Sequence, residues 1–542
     1  MLDPGTIPDY DFSITWRTVM TIKTTIAMIV GTFLLLLGCD DNSKRTDSCG
    51  NGTLDPGEVC DGEELAGVTC SGLGFYGGAL ACRADCTLDQ SGCEAAGRCG
   101  DGILQESEGE SCEGGVEVET GCPDRGLFFG QVVCDEATCR LDDSQCSDFW
   151  VWGSTSPEIV PIISRGPSGG LYVAGSTIGA FEGQTWMGWN DVFLSRFDRD
   201  GTLLWTRQWG SYMEDHPDVL LVDPEGNALI GCNTSGPMVE DQHLGQTDVV
   251  FIKCDQDGNL VWMRQWGSAQ GEGITQMFME ADGSFQVIGR TSGSLGDDHS
   301  GNFDLDQYWA KFDRDGNRLW TQQWDVAAGA GLNSVVYSEN GFYMAGMMAS
   351  GNVVPGQEAY GDDDGLLVRV DLYGQWLWAR QWGTDKRDYV VDLALGSDGD
   401  LYVVGTTQGE FEGAVPTGDY DLFLARFTAQ GDRVWIRQMG TFEDDFANKV
   451  VLLEGELWIL GSTRGVMEGN KVPGDLDFFL ARVNADGEFL EVRQWGSLGF
   501  DAAEDMVVTE ASQLIITGYT DGGLDVWPEP YRSEVFLFRV PW

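Results

Sequence analysis

From residue 191 onward the apolar positions fall in short runs, and the runs keep a fixed order. Val390-Val-Asp-Leu-Ala-Leu395 is one such run, followed by a turn at Ser397-Asp-Gly399. Leu401-Tyr-Val-Val-Gly405-Thr-Thr407 comes next. A polar loop of about a dozen residues leads to Asp421-Leu-Phe-Leu-Ala-Arg-Phe427. A second turn ends at Gly431, and Val434-Trp-Ile-Arg-Gln-Met439 closes the unit. Runs this short, bounded by Asp and Gly, predict four strands joined by turns. The third is apolar at successive positions, Leu422 and Leu424 against Phe423 and Phe427, so both of its faces must be covered.

The third-strand phrase returns at Asp191, Asp248, Asp306, Asp364, Asp421, Asp477 and Glu534. The spacings are 57, 58, 58, 57, 56 and 57 residues. A period that steady predicts a repeat architecture, and four strands per period is the arithmetic of a propeller blade. The last period ends at Trp542 without a fourth strand. Trp150-Val-Trp-Gly153-Ser154 is a matching fourth strand at the front of the region. The expectation is an all-β fold: a seven-bladed β-propeller over 148–542, with N- and C-terminal strands closing the ring. Closure of this kind removes exposed sheet edges.

Cysteine gives the preceding segment its character. Cys49, Cys60, Cys70, Cys82, Cys86 and Cys93 are followed by Cys99, Cys112, Cys122, Cys134, Cys139 and Cys146, in similar gaps. The region 49–146 is therefore a small disulfide-rich stretch of two repeats, 49–93 and 99–146. Units of about 50 residues need such staples, because their apolar cores are too small. Six cysteines allow 15 pairings, and the sequence does not choose among them. Cys232 and Cys254 lie near the carboxyl ends of neighbouring antiparallel strands. That places them beyond the ~7 Å limit on Cα separation, so both are expected free and buried.

Ile26 to Gly38 is an apolar run of 13 residues with Lys23 before it and Cys39 after it. It is shorter than the ~20 residues needed to span a bilayer and fits the apolar part of a secretion signal. Residues 1–19 carry Asp3, Asp9 and Asp11 where a signal is basic, which makes Met20 the expected start. Residues 20–38 are then the signal and 39–48 a tether. Leu36-Leu37-Gly38-Cys39 resembles a bacterial lipobox. The resemblance implies cleavage before Cys39 and acyl chains, palmitate among them, on that residue. Two or three chains anchor stably where one does not. The expected location is the cell envelope, at the outer membrane or cell surface rather than the inner membrane.

Charge narrows the partners. Lys plus Arg number 32 and Asp plus Glu 87, a net charge of −55. Such a chain repels nucleic acid phosphates. The repeated Arg196, Lys253, Lys311, Arg369, Arg426, Arg482 and Arg539, with Arg207, Arg264, Arg380, Arg437 and Arg493, hold 12 of the basic side chains. Sevenfold repetition assigns them to the frame, with Arg196 diagonal to Trp205 for a cation–π contact. Turns such as Asp198-Arg-Asp200-Gly201 are read as hairpin turns rather than calcium loops. Calcium remains the one candidate cofactor, at these turns or at Asn51, Asp55, Glu58 and Asp61; none is required.

The phrases Asp-x-Phe-Leu-x-Arg-Phe, Asp-x-x-Gly and Gly-x-Leu-Tyr-Val-x-Gly-x-Thr resemble the seven-bladed propeller repeat family of bacterial envelope proteins, often called SBBP. Cys49-Gly-Asn-Gly-Thr-Leu-Asp-Pro-Gly-Glu-Val-Cys60 resembles the cysteine-rich repeats of myxobacterial surface proteins. These resemblances imply an envelope lipoprotein with a display domain.

In a propeller, the loops between second and third strands and those between blades share one face, and variable loops on a rigid frame are where binding lives. Trp186, Trp189, Trp527, Asp362 and Asp363 are the candidate binding residues there. His216, His243 and His299, with Asp215, Asp241 and Asp298, are the candidate metal ligands. No nucleophile–His–acid set or cofactor fingerprint stands out. The leading expectation is a non-enzymatic scaffold for a protein or glycan ligand. The alternatives are a glycan-active hydrolase or lyase and a purely structural envelope component.

Overall fold

The computed structural model describes residues 49–113, 132–135, 138–142, 146–154, 156–239, 242, 244–295, 306–324, 330–338, 340–373, 375–414, 418–467, 474–522 and 533–540. The chain forms two compact units, 1–108 and 109–542. Cys39, Cys122, Asp241, His243, Asp298, His299 and Trp527 lie outside the described residues.

The larger unit contains seven four-stranded antiparallel sheets. Blade 1 is Glu158–Arg165, Leu171–Thr177, Asp191–Phe197 and Leu203–Trp209. Blade 2 is Asp215–Val222, Ala228–Thr234, Asp248–Cys254 and Leu260–Trp266. The pattern continues through blades 3 to 6, whose first strands begin at Glu272, Ala330, Asp388 and Asp445. Blade 7 takes Asp501–Val508, Leu514–Thr520 and Glu534–Arg539 from the end of the propeller region and Phe149–Trp152 from its beginning. Val535 pairs with Trp152 and Phe538 with Phe149, so the predicted closure is present. Arg539 Nε donates to Asp148 at 2.6 Å beside it.

Burial follows the sequence pattern. Leu422, Phe423, Leu424 and Phe427 are 0–2% exposed, because each face of the third strand packs on a neighbouring blade. The predicted hairpin turns form. Asp198 Oδ1 accepts from the backbone N of Asp200 and of Thr202, each at 2.9 Å, and Gly201 has φ 79°. A side chain at that φ is strained, which is the turn's reason for glycine.

Basic residues tie blades 1, 4 and 5 each to the next. Arg207 Nε donates to the Gly258 carbonyl at 3.0 Å, and Trp205 Nε1 to the Gln256 carbonyl at 3.1 Å. Arg196 differs from expectation. It stands directly opposite Trp205, and its guanidinium lies 5.5 Å from the Tyr172 ring instead. Arg207, two residues beyond Trp205 on the same strand, takes the Trp205 face at 5.4 Å. Arg196 also stands opposite Tyr172 on its other side, and its guanidinium is held there by the Gln256 carbonyl; a bulge at Leu204 sets the Trp205 register.

The smaller unit resolves the pairing that the sequence left open. Cys49 joins Cys86, Cys60 joins Cys82 and Cys70 joins Cys93. The bridge Cys112–Cys134, in the larger unit, repeats the second-to-fourth link with the same separation of 22 residues. Cys99, Cys139 and Cys146 are also disulfide-bonded. Asp61 is fully buried and accepts from the backbone N of Gly50 at 2.6 Å and Gly52 at 3.1 Å. Asp55 takes the Asn51 amide at 2.9 Å, and Glu58 takes the Asp55 backbone N at 2.9 Å. Cys232 and Cys254 are free and buried; Cys232 stands opposite Val250, and Cys254 opposite Ala228. Among the described residues no helix is long and apolar enough to cross a membrane.

Candidate functional site

The upper face is where second strands end and first strands begin. Its loops are held by a device repeated round the ring. In blades 1 to 6 the acid that opens the third strand is buried, and a fourth-strand glutamine reaches it. Gln208 Nε2 donates to Asp191 Oδ2 and to the Gly179 carbonyl, both at 2.9 Å, while Gln208 Oε1 accepts from Phe181 N at 3.1 Å. Asp191 Oδ2 also accepts from Met187 N at 2.9 Å. The loop 178–190 is thus pinned near both ends by two side chains. Gln265, Gln323, Gln381, Gln438 and Gln494 make the same link to Asp248, Asp306, Asp364, Asp421 and Asp477 at 2.6–2.8 Å. Blade 7 has Val151 where the glutamine stands elsewhere.

A second set of acids opens the first strands and pins the loops between blades. Asp215 Oδ2 accepts from Ser211 N at 2.5 Å, and its Oδ1 accepts from the hydroxyls of Thr234 and Ser211. Asp388, Asp445 and Asp501 do the same for Thr384, Thr441 and Ser497. The two sets of acids meet at blade junctions. A Cβ on Gly440 would stand 2.1 Å from Asp421 Oδ1 and 3.0 Å from Asp445 Oδ2. That proximity is why the Trp-Gly phrase needs glycine. Burial, with the neighbouring carboxylate, pushes Asp215, Asp388, Asp445 and Asp477 up to about 6 and Glu158 up to about 7. Asp191 Oδ1 is buried and accepts no hydrogen bond. At the junction of blades 3 and 4, Ala330 stands where the second acid would be.

What the pinned loops present is apolar. Trp186 is 48% exposed, Met187 57%, Trp189 68%, Tyr212 64% and Met213 38%. Gly188 fits against Tyr212, with 2.6 Å from its would-be Cβ to the Tyr212 Cα, so these side chains come from two touching loops. Asn190 and Glu214 form a parallel bridge beneath them.

The other sequence candidates are placed as follows. Asp362 is exposed. Asp363 is half-buried and engaged by Ser350 N at 3.0 Å, Tyr389 Oη at 3.3 Å and Arg387 at 3.6 Å. His216 Nδ1 lies 3.1 Å from the fully buried Ser176 Oγ, and its Nε2 lies 3.4 Å from the Asn190 amide. Burial holds His216 below its usual range. Among the described residues, one trio of His, Cys, Asp and Glu side chains is close enough to share an ion: Glu110, Glu113 and Cys139. Cys139 is already committed to a disulfide.

The inner wall adds residues that the sequence reading passed over. The first strands contact one another around the axis. Ser334 Oγ donates to Asp392 Oδ1 at 2.8 Å, Val450 N to Asp392 Oδ2 at 3.0 Å, and Lys449 lies 3.4 Å from Asp505. Asp218 is the bulged residue of blade 2. Its side chain reaches water yet is walled in by protein, and this desolvation pushes its carboxyl up to about 7. A one-residue bulge in each first strand is the signal that would have exposed these positions, and spacing alone does not reveal it.

No family model matches the chain. It is similar to the regulatory protein FlaEY of Caulobacter vibrioides, 24% identical over 420 residues, covering 66% of this chain and 43% of that protein. The chain therefore spans less than half of that relative's length. Among solved structures, the Neurospora crassa Pan2 WD40 domain is 10% identical with a TM-score of 0.39, over 71% of this chain and 89% of its own. Drosophila Plexin A in complex with Semaphorin 1b is 9% identical with a TM-score of 0.39, over 77% and 88%.

Proposed function

We propose that the protein is a cell-envelope lipoprotein, anchored through Cys39, whose propeller is a non-catalytic scaffold that binds a protein or glycan ligand on its upper face. One observation carries the binding reading. Five large apolar side chains are exposed together, on loops whose backbones are fixed by buried acids and a glutamine. A preorganised aromatic surface loses little entropy on binding, and aromatic anchors dominate interface energies. The description of FlaEY as a regulatory protein fits a role without turnover. Disulfides fit an oxidising compartment outside the cytoplasm.

The test uses binding to envelope extracts and to a glycan array. Wild type is compared with Trp186→Ala/Trp189→Ala and with Tyr373→Ala, a 75%-exposed residue of a lower turn. Loss in the upper-face variant alone supports the reading; equal binding by all three removes it. Loss of palmitate label in Cys39→Ser tests the anchor. A second reading, a glycan-active hydrolase or lyase, draws on Asp218, whose raised carboxyl suits a general acid. It predicts polysaccharide cleavage that disappears in Asp218→Asn.

A further inference from the structure

We infer that the Trp186–Trp189–Tyr212 surface docks a basic protein segment, one whose Lys or Arg side chains lie over the exposed rings. The inference rests on the binding reading above and goes further by naming the class of partner.

Charge distinguishes this partner from the alternatives. The segments joining the upper ends of strands in blades 1 to 3 are 178–190, 211–214, 235–247, 268–271 and 292–305. Together they hold seven acids, Glu182, Glu214, Glu240, Asp241, Asp297, Asp298 and Asp304, and no Lys or Arg. Glu182 and Glu214 are exposed and belong to the same two loops as the aromatic cluster. The basic side chains of these blades are spent elsewhere. Arg196 and Arg207 hold backbone carbonyls of the neighbouring blade's turn, and Lys311 pairs with Glu280 at 2.7 Å. The two loops that carry the rings therefore present Glu182 and Glu214 with no basic side chain of their own, and the rings stand in a negative local field.

An indole or phenol ring attracts a cation over its face, and nearby carboxylates add to that attraction. The aliphatic stems of Lys and Arg also cover apolar surface, which suits Met187 and Met213. A neutral sugar can stack on tryptophan but gains nothing from the field, and an anionic glycan or nucleic acid is repelled by it. A lone small cation fills only one ring, whereas the cluster spans two loops and five side chains.

The test uses the full-length protein in detergent and three probes. One is a fluorescent peptide alternating Lys or Arg with Leu. The second is the same peptide with every basic residue replaced by Glu. The third is a glycan array. The basic peptide is expected to bind and the acidic one not. Trp186→Ala/Trp189→Ala is expected to weaken the basic peptide at least tenfold. Glu182→Gln/Glu214→Gln, which keeps both rings, is expected to weaken it and flatten its salt dependence. These side chains are exposed, so an unchanged melting temperature confirms folding of each variant. Peptide binding unaffected by the tryptophan variant overturns the inference, because the acidic surface would then act without the rings. Tryptophan-dependent binding of glycans but not of the basic peptide also overturns it, while leaving the binding scaffold standing. If neither probe binds in a tryptophan-dependent way, both readings fall.

Discussion

Asp191→Asn is expected to stabilise the propeller at neutral pH, an unusual outcome for a change at a buried acid. Asp191 Oδ2 is occupied by Gln208 and Met187, and asparagine's carbonyl oxygen can keep that role. Oδ1 is buried without a donor, and the charge of Asp191 raises Asp215. The amide N–H₂ would stand where Oδ1 does and carries no charge to raise Asp215. Asp215 moves from 3.8 to about 6 on folding, which at ~1.4 kcal/mol per pH unit is about 3 kcal/mol of strain once both states are ionised. Burial is the largest cause and the Asp191 charge the smallest, so relieving the neighbour recovers only a small part of this, a few tenths of the ~1.4 kcal/mol that one pH unit represents.

The sign follows from proton counts. Between the unfolded and folded values the native state holds the proton that the unfolded state has lost, so stability falls as pH rises through that window. The gain from Asp191→Asn is therefore full at about pH 8 and absent below about pH 4. Urea titrations of wild type and variant at both values measure it, and the background effect of net charge cancels in the difference. A variant less stable than wild type at the higher pH, or a gain that persists unchanged at the lower, would refute the reasoning.

Three further outcomes are expected. Gln208→Leu breaks three hydrogen bonds and leaves Asp191 Oδ2 to the Met187 N–H, costing about 3 kcal/mol in urea titration and exposing the 178–190 loop to limited proteolysis. Burial pushes Cys254 up to about 12 and Cys232 well above the thiol range, so neither reacts with a thiol reagent in native protein, and both react in denaturant. Removing the Cys60–Cys82 bridge by paired alanines frees a loop of 22 residues and costs about 3 kcal/mol, read as a lower melting temperature of the smaller unit.

The repeat, its sevenfold count, the strand exchange at blade 7 and the hairpin turns were legible, because each depends on local pattern and period. The two free cysteines were legible from strand direction alone. Gln208 was not: in Arg-Gln-Trp it reads as the polar side of an edge strand, and only the fold brings Asp191 and Gly179 to it. Asp215 looked like a loop acid beside a histidine, whereas its oxygens are filled by Ser211 and Thr234. Arg196 takes the Tyr172 ring instead of Trp205 because it lies between the two and a carbonyl of the next blade, Gln256, holds its guanidinium, a contact no sequence pattern shows. The order of disulfides was hidden for a combinatorial reason, and the inner wall because Asp218 and Lys449 gain neighbours only when the ring is complete.

The exchange of strands in blade 7 also sets a timetable. Phe149–Trp152 is synthesised early and has no partner until Glu534–Arg539 appears, nearly the whole propeller later. Until then blades 1 to 6 can form from contiguous sequence, but the ring stays open at one seam. On the export route proposed above, the chain would cross the membrane with that seam unmade, and closure would be an event of the far side. The strand that joins the propeller to the segments before it is also the strand that locks it. Tension or cleavage at residues 146–149 would therefore act directly on the final step of assembly.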